Sequence, residues 1–493
     1  MAAGAAWMVA FKLLDRSIGI VSVIVLARLL VPSDFGLVAM ATAIIAVVQL
    51  ISSFNFDIAL IQSRQAARAQ YDTAWTLNVA MASVCALLVA AAARPAGIFY
   101  GDERLGGVLL LLSLAVWIQG FENIGVVAFR KELKFNREFQ LLLTRRVSVF
   151  LTTVSIALAT RSYWALVLGI FAGSVCGVLV SYLFHPFRPR FDLTARTELL
   201  QFSRWLVFSN VMNTLSSRAA DLIIGKSLGP APLGLFGLAH EISHLPSTEL
   251  AAPVNRAVYP GYAKVASDPS KLNEKFLEVL GFTALLSMPL ALGIATVAPL
   301  LIPLLLGDAW RAAVPLTRVL SLAGLLASLR TNVGYVFLAL GKSELQAALT
   351  AIRLAIAAPA LVLGTRYFGI TGAAWAMLGA SIAMLLITQV FIYRVLRLSV
   401  LRQGVVLWRP ALASLGMVLL VSGYLDPLEH GAAAGDVMLE LVSVVGLGIV
   451  AYVSLMAVLW AASGCPRSAE VHVMAMSRGL FGRLRRNRAD RAR

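Results

Sequence analysis

The chain has 493 residues, 59% of them hydrophobic and only 14% charged, and no polar stretch is long enough for a soluble domain of ordinary size. The formal charge of +17 sits in short loops and a tail. Anionic inner-leaflet lipid explains that placement better than nucleic acid does. Three cysteines, Cys85, Cys176 and Cys465, form neither a disulfide framework nor a cysteine metal site.

Apolar runs of near-spanning length predict helices over 3–27, 36–57, 74–93, 105–127, 140–159, 163–184, 204–225, 233–255, 276–298, 314–338, 345–365, 370–393, 408–424 and 438–461. At about 20 residues per crossing they use roughly 280–320 residues and leave only short loops. Lys12, Asp15 and Arg16 interrupt the first run, which reads as an uncleaved helix. Pro32, Pro95, Pro186, Pro230, Pro303 and Pro410 mark joints. The expected fold class is an all-α integral membrane protein with about fourteen transmembrane helices.

Cations alternate along the chain. They collect after helices 2, 4, 6, 8, 10 and 12, for example Arg130, Lys131, Lys134 and Arg137, then Arg394, Arg397, Arg402 and Arg409. The last of the intervening loops is acidic, with Asp426, Glu429 and Asp436. Cationic loops stay cytoplasmic, so both termini are expected there, with an even number of spans.

The chain also repeats itself. Residues 26–41 read LARLLVPSDFGLVAMA and residues 224–239 read IGKSLGPAPLGLFGLA. Ungapped, Arg28 meets Lys226, Pro32 meets Pro230 and Gly36 meets Gly234. The offset of 198 residues spans six helices, which makes the copies parallel repeats, a transporter plan. Two six-helix lobes are expected over 1–200 and 201–400, then helices 13 and 14 over 401–464 and a basic cytoplasmic tail over 465–493. That tail holds eight arginines among apolar residues, suiting either an amphipathic helix on the inner leaflet or a disordered segment.

The first repeat copy, ALIQSRQAARAQYDTAWTLN (59–78) and FRKELKFN (129–136) resemble the Wzx-type polysaccharide flippases of the multidrug/oligosaccharidyl-lipid/polysaccharide exporter superfamily. DLIIGKSLGPAPLGLFGLA (221–239), AVYPGYAKVASDPSKL (257–272), LLLGDAW (304–310) and LALGKSE (338–344) continue the resemblance in order, over about residues 7–395. It implies a fourteen-helix flippase in the bacterial inner membrane. The implied cargo is an undecaprenyl-diphosphate-linked oligosaccharide destined for O-antigen, capsule or exopolysaccharide. A polysaccharide polymerase and the export machinery are implied partners, beside membrane lipids. Helices 1, 2, 7 and 8 are implied to line the cavity.

Ionisable groups inside spans cost about 2.5–3.5 kcal/mol each and usually face a cavity or a partner. Lys12, Arg16, Arg218, Arg330 and Arg353 are the expected diphosphate contacts, since guanidinium binds phosphate oxygens bidentately. Lys12 with Asp15 and Arg218 with Asp221 have i,i+3 spacing and are expected gating or neutralising pairs. Snorkelling anchors and internal ion pairs are the plainer account of such groups. Asp57, Gln119, Glu122 and Asn123 suit a coupling ion, sugar hydroxyls or helix–helix hydrogen bonds.

His240, Glu241 and His244 form HExxH, which places two zinc ligands and a general base on one helix. No clear third ligand accompanies them, and they lie inside the flippase resemblance. A structural role or proton or cation coupling then fits better, since imidazole titrates near neutral pH. No Walker A motif, dinucleotide turn or nucleophile elbow is present. The expectation is a transporter with no cofactor or metal, its coupling ion, proton or sodium, left open. A lipid II flippase and a cation-coupled multidrug antiporter are the alternatives in the superfamily, with an intramembrane zinc protease outside it.

Overall fold

An apolar run in lipid satisfies its backbone by forming a helix, and this chain does so almost throughout. The computed structural model describes residues 2–52, 54, 56–62, 67–425 and 434–464. Arg64, Asp426, Glu429 and the tail from Cys465 onward lie outside them. In chain order the helices are α1 (Ala2–Leu29), α2 (Pro32–Val48), α3 (Phe56–Gln62), α4 (Arg68–Tyr100), α5 (Arg104–Gln119), α6 (Val127–Lys131), α7 (Phe135–Thr160) and α8 (Trp164–Phe184). Then follow α9 (Arg196–Leu228), α10 (Pro230–Ser243), α11 (Ala252–Val265), α12 (Pro269–Leu306), α13 (Ala313–Ala339), α14 (Ser343–Leu396), α15 (Val400–Leu425) and α16 (Ala434–Ala462). No strand occurs among the described residues.

Nine of these are long and apolar enough to cross a membrane, ten when α5 and α6 count as one bent span. At 54 residues α14 is more than twice a span's length, and Gly369 (φ 61°) breaks its helical backbone where the sequence separates helices 11 and 12. Leu87, Leu183, Leu419 and Val450 stand 63–79% exposed. Such a surface is a liability in water and the ordinary lipid face of a membrane helix.

Three expected helices differ. The run 36–57 stops at Val48, passes through a 3-10 turn (Gln49–Ser52) and restarts at Phe56. The run 105–127 breaks after Gln119 and resumes through a 3-10 turn at Ile124–Val126, bending by 63°. There the Asn123 side chain accepts from Gly125 N at 2.9 Å and donates to the Phe187 carbonyl at 2.8 Å. The run 233–255 contains a π-helix at Pro246–Ala251, between Pro246 and Pro253. Proline's missing donor and ring bulk favour such a register change.

The chain forms two compact units. One holds Met1–Gly237 with Leu305–Trp310 and Leu361–Ile370, and the other holds the rest. Lipid offers no hydrophobic drive between helices, so close packing of small residues takes its place. In the first unit, Gly169, Gly173 and Gly177 of α8, spaced four residues apart, form a stripe against α7. A Cβ at Gly169 would lie 1.8 Å from Thr153 Oγ1, and one at Gly173 would lie 2.5 Å from Val149 Cγ2.

The repeat motifs meet each other in the same unit. A Cβ at Gly36 would lie 1.7 Å from the Pro230 carbonyl oxygen, and one at Gly234 would lie 1.9 Å from that of Pro32. The LLLGDAW segment joins them. Trp310 is fully buried, donates from Nε1 to the Ala27 carbonyl at 2.8 Å and sets its ring edge-on to Phe35. Arg28 Nε donates to the Leu305 carbonyl at 3.1 Å. Three of the motifs that carry the resemblance therefore pack together.

In the second unit, α11 and the π-helix pack on α13. A Cβ at Gly324 would lie 2.2 Å from the Ser243 carbonyl oxygen, so α13 closes on the end of α10. Ser243 Oγ donates to the Thr317 carbonyl at 3.2 Å, and the buried Tyr262 hydroxyl donates to Asn332 Oδ1 at 2.5 Å.

Candidate substrate-binding residues

In the first unit α1 packs on α7, and the structure pairs Asp15 with Arg146 of α7 at 2.9 Å. This corrects the expected pair with Lys12, which is exposed and has no ion pair among the described residues. The reason is tertiary: Gly19, with no side chain, leaves room beside α1 for the Arg146 guanidinium. Arg16 is half-buried on the same helix. Arg218 and Asp221 pair as expected, at 3.1 Å. Lys226 lies over the Phe99 ring at 4.2 Å and donates to the Phe99 carbonyl.

In the second unit the ring centroids of His240 and His244 stack at 3.9 Å, and His244 Nδ1 lies 3.1 Å from the His240 carbonyl oxygen. Arg353 lies within electrostatic reach of both imidazoles and of Arg330, and Arg330 within reach of His244. Arg330 Nε also donates to the Leu326 carbonyl at 3.3 Å. Arg330 on α13 and Arg353 on α14 thus lie near the stacked pair of His240, on α10, and His244, just beyond its end. Ser243, held to α13 through the Thr317 carbonyl, lies between the two histidines in sequence. Glu241 is exposed. Among the described residues no three His, Cys, Asp or Glu side chains gather as a metal site.

A second arrangement was only half foreseen. Asp57, Gln119, Glu122 and Asn123 line a single cavity of about 450 Å³ in the first unit. Gln49, Asn78, Arg130 and Glu138, which the sequence did not mark as binding residues, join them, as does Arg145. A polar Asn78 inside an apolar run was the available signal. Arg130 bonds Glu138 at 2.5 Å and reaches Asp57 at 3.5 Å. Arg145 lies over the bare Gly177 and stands 3.8 Å from Glu122.

At the loop ends, Arg104 and its backbone N–H hold the Asp102 carboxyl below its ordinary range. The segment 185–195 is strapped to the first unit. Asp72 accepts from Arg190 N at 2.8 Å and Thr76 Oγ1 from Asp192 N at 3.0 Å. Burial first, then the charges of Lys134 and Arg188, hold the His185 imidazole below its ordinary 6.5 despite Glu132. Its Nδ1 accepts from Phe187 N at 3.2 Å, which only an unprotonated nitrogen can do.

A family model described as "Polysaccharide biosynthesis protein" matches residues 25–315. The lipopolysaccharide biosynthesis protein WzxC of Escherichia coli is 25% identical over 421 residues, 84% of this chain and 85% of that protein. The succinoglycan biosynthesis transport protein ExoT of Rhizobium meliloti is 23% identical over 460 residues, 91% of each. Among solved structures, the lipid II flippase MurJ in an inward closed conformation superposes with a TM-score of 0.75 at 13% identity, covering 93% of this chain and 99% of that one. The likeness to MurJ confirms an all-helical, multi-pass membrane fold.

Proposed function

We propose a function from one premise: this chain belongs to the polysaccharide biosynthesis protein family, whose model covers more than half of it. The proposed function is a flippase that carries polyprenyl-diphosphate-linked oligosaccharide across the bacterial inner membrane. It works by alternating access of its two six-helix lobes, with both termini cytoplasmic, and makes or breaks no covalent bond. The sugar and diphosphate cross inside the protein while the polyprenyl chain stays in lipid.

The observation that carries this reading is the pair Arg330 and Arg353 on two membrane-spanning helices, α13 and α14, within electrostatic reach of each other. Cations are costly at that depth, and a diphosphate offsets the cost with several charge-assisted hydrogen bonds. An organic-cation antiporter, the superfamily alternative, would be repelled there. WzxC and ExoT are named for polysaccharide biosynthesis, and ExoT for transport, which supports the same reading. The candidate coupling ions are the proton and sodium.

The test is mass spectrometry of polyprenyl lipids from cells with and without the gene, in a strain lacking other flippases for the same glycan. A diphosphate-linked oligosaccharide should accumulate when the gene is absent. An unchanged lipid pool refutes the proposal.

A further inference from the structure

The cavity at the broken span has no part in the diphosphate site. It lies wholly within the first unit and is walled by α4, by the break between α5 and α6, by α7, and by the 3-10 turn after α2 with α3. Unwound backbone at membrane depth is tolerated where it lines a cavity, and discontinuous helices mark binding sites in transporters. Its volume of about 450 Å³ falls in the range of small-molecule sites, about 300–1,000 Å³.

The polar groups around it divide into two sets. Asn123 is spent on capping Gly125 and holding the strap, and Glu138 on Arg130. Gln49, Asn78 and Gln119 line the cavity and make no side-chain hydrogen bond among the described residues. Glu122 and Arg145, at 3.8 Å, are too far apart for a hydrogen bond. Both therefore keep capacity for a ligand. Amides that donate and accept, beside carboxylates that only accept, match a hydroxylated ligand, because each hydroxyl does both. Phe56, Met81 and Phe129 supply apolar wall for the C–H faces of a sugar ring. Three carboxylates, Asp57, Glu122 and Glu138, against Arg130 and Arg145 leave the site slightly anionic. That disfavours an acidic sugar and the diphosphate itself.

We propose that this cavity is a saccharide subsite for neutral or amino sugars of the cargo, separate from the arginine pair that takes its phosphates. The inference rests on the flippase reading for the cargo's identity, yet it is testable without it.

The test is saturation-transfer NMR on the full-length protein in lipid nanodiscs, with lactose, chitobiose and digalacturonate as free probes. Lactose or chitobiose ring protons should take up saturation, and digalacturonate should not. The signal should fall at least fivefold in Asn78→Leu and in Gln119→Leu; Gln119 is exposed, so its variant keeps the test open should Asn78→Leu misfold. No transfer to either uncharged or amino disaccharide overturns the proposal, as does transfer undiminished in the folded variants. Sodium bound at Glu122 without sugar also overturns it. Lipid accumulation without saccharide binding sinks the subsite and leaves the flippase standing; binding without accumulation does the reverse.

Discussion

Single residues fix how these helices meet. Trp310 illustrates the cost of replacing one hydrogen-bond donor. Its indole N–H is buried and serves the Ala27 carbonyl, 283 positions earlier in the chain. Trp310→Phe keeps most of the apolar bulk and strands that acceptor. Leaving a buried polar group unsatisfied costs about 1–3 kcal/mol. The variant should melt earlier in detergent by a matching amount, and an unchanged melting temperature would show the bond contributes nothing. Asp15 marks where residue-level reading stopped. Its i,i+3 neighbour Lys12 was legible in the sequence, but Arg146 lies 131 positions away and only the packing of α1 on α7 brings it near.

At the scale of elements, the strap 185–195 is the segment whose stability has a definite pH sense. Its anchors are backbone N–H groups bound by Asp72 and Thr76, and its first residue, His185, accepts through Nδ1. The folded imidazole binds a proton less readily than its unfolded value of 6.5. The contribution to strap stability is therefore whole above about pH 6.5 and declines as the pH falls from there toward the folded value. Hydrogen exchange over 185–195 should be faster at pH 5.5 than at pH 7.5 after correction for intrinsic rates. His185→Asn should flatten the dependence, and a dependence retained in that variant would assign it elsewhere. The breaks after Val48 and after Gln119 fall at polar residues, Ser52 in the first and Glu122 and Asn123 in the second, inside runs whose average hydropathy still suits a span. At the second, the Asn123 side chain caps Gly125 and bonds the Phe187 carbonyl, a tertiary tie that leaves no periodic signature.

At the scale of the whole molecule, the arginine cluster makes the firmest demand. A hydrogen bond to a charged group is worth about 1.5–3 kcal/mol, or roughly 10- to 100-fold per contact. Arg330→Gln and Arg353→Gln together should cut oligosaccharide flipping by at least that factor while membrane levels of the protein hold. Normal flux in the double variant would remove the cluster from the mechanism. Most helix positions, the all-α membrane class and the family were legible from apolar runs and dispersed motifs, but not the breaks within three of the helices, and Gly369 fell where the apolar pattern divided. The site was legible only in parts. Arg330, Arg353, His240 and His244 were each singled out for charge at depth, but nothing in their spacing said that three helices would bring them together.

The crossing of the repeats has one more consequence. Each glycine covers the proline carbonyl of the opposite copy, so the two strokes of the contact are equivalent. That reciprocity is the form an isologous dimer interface takes. A half-length ancestor bearing the motif once would have carried a self-complementary surface, sufficient to pair with its own duplicate. Joining two such halves in one gene would conserve the contact and free each copy to diverge elsewhere.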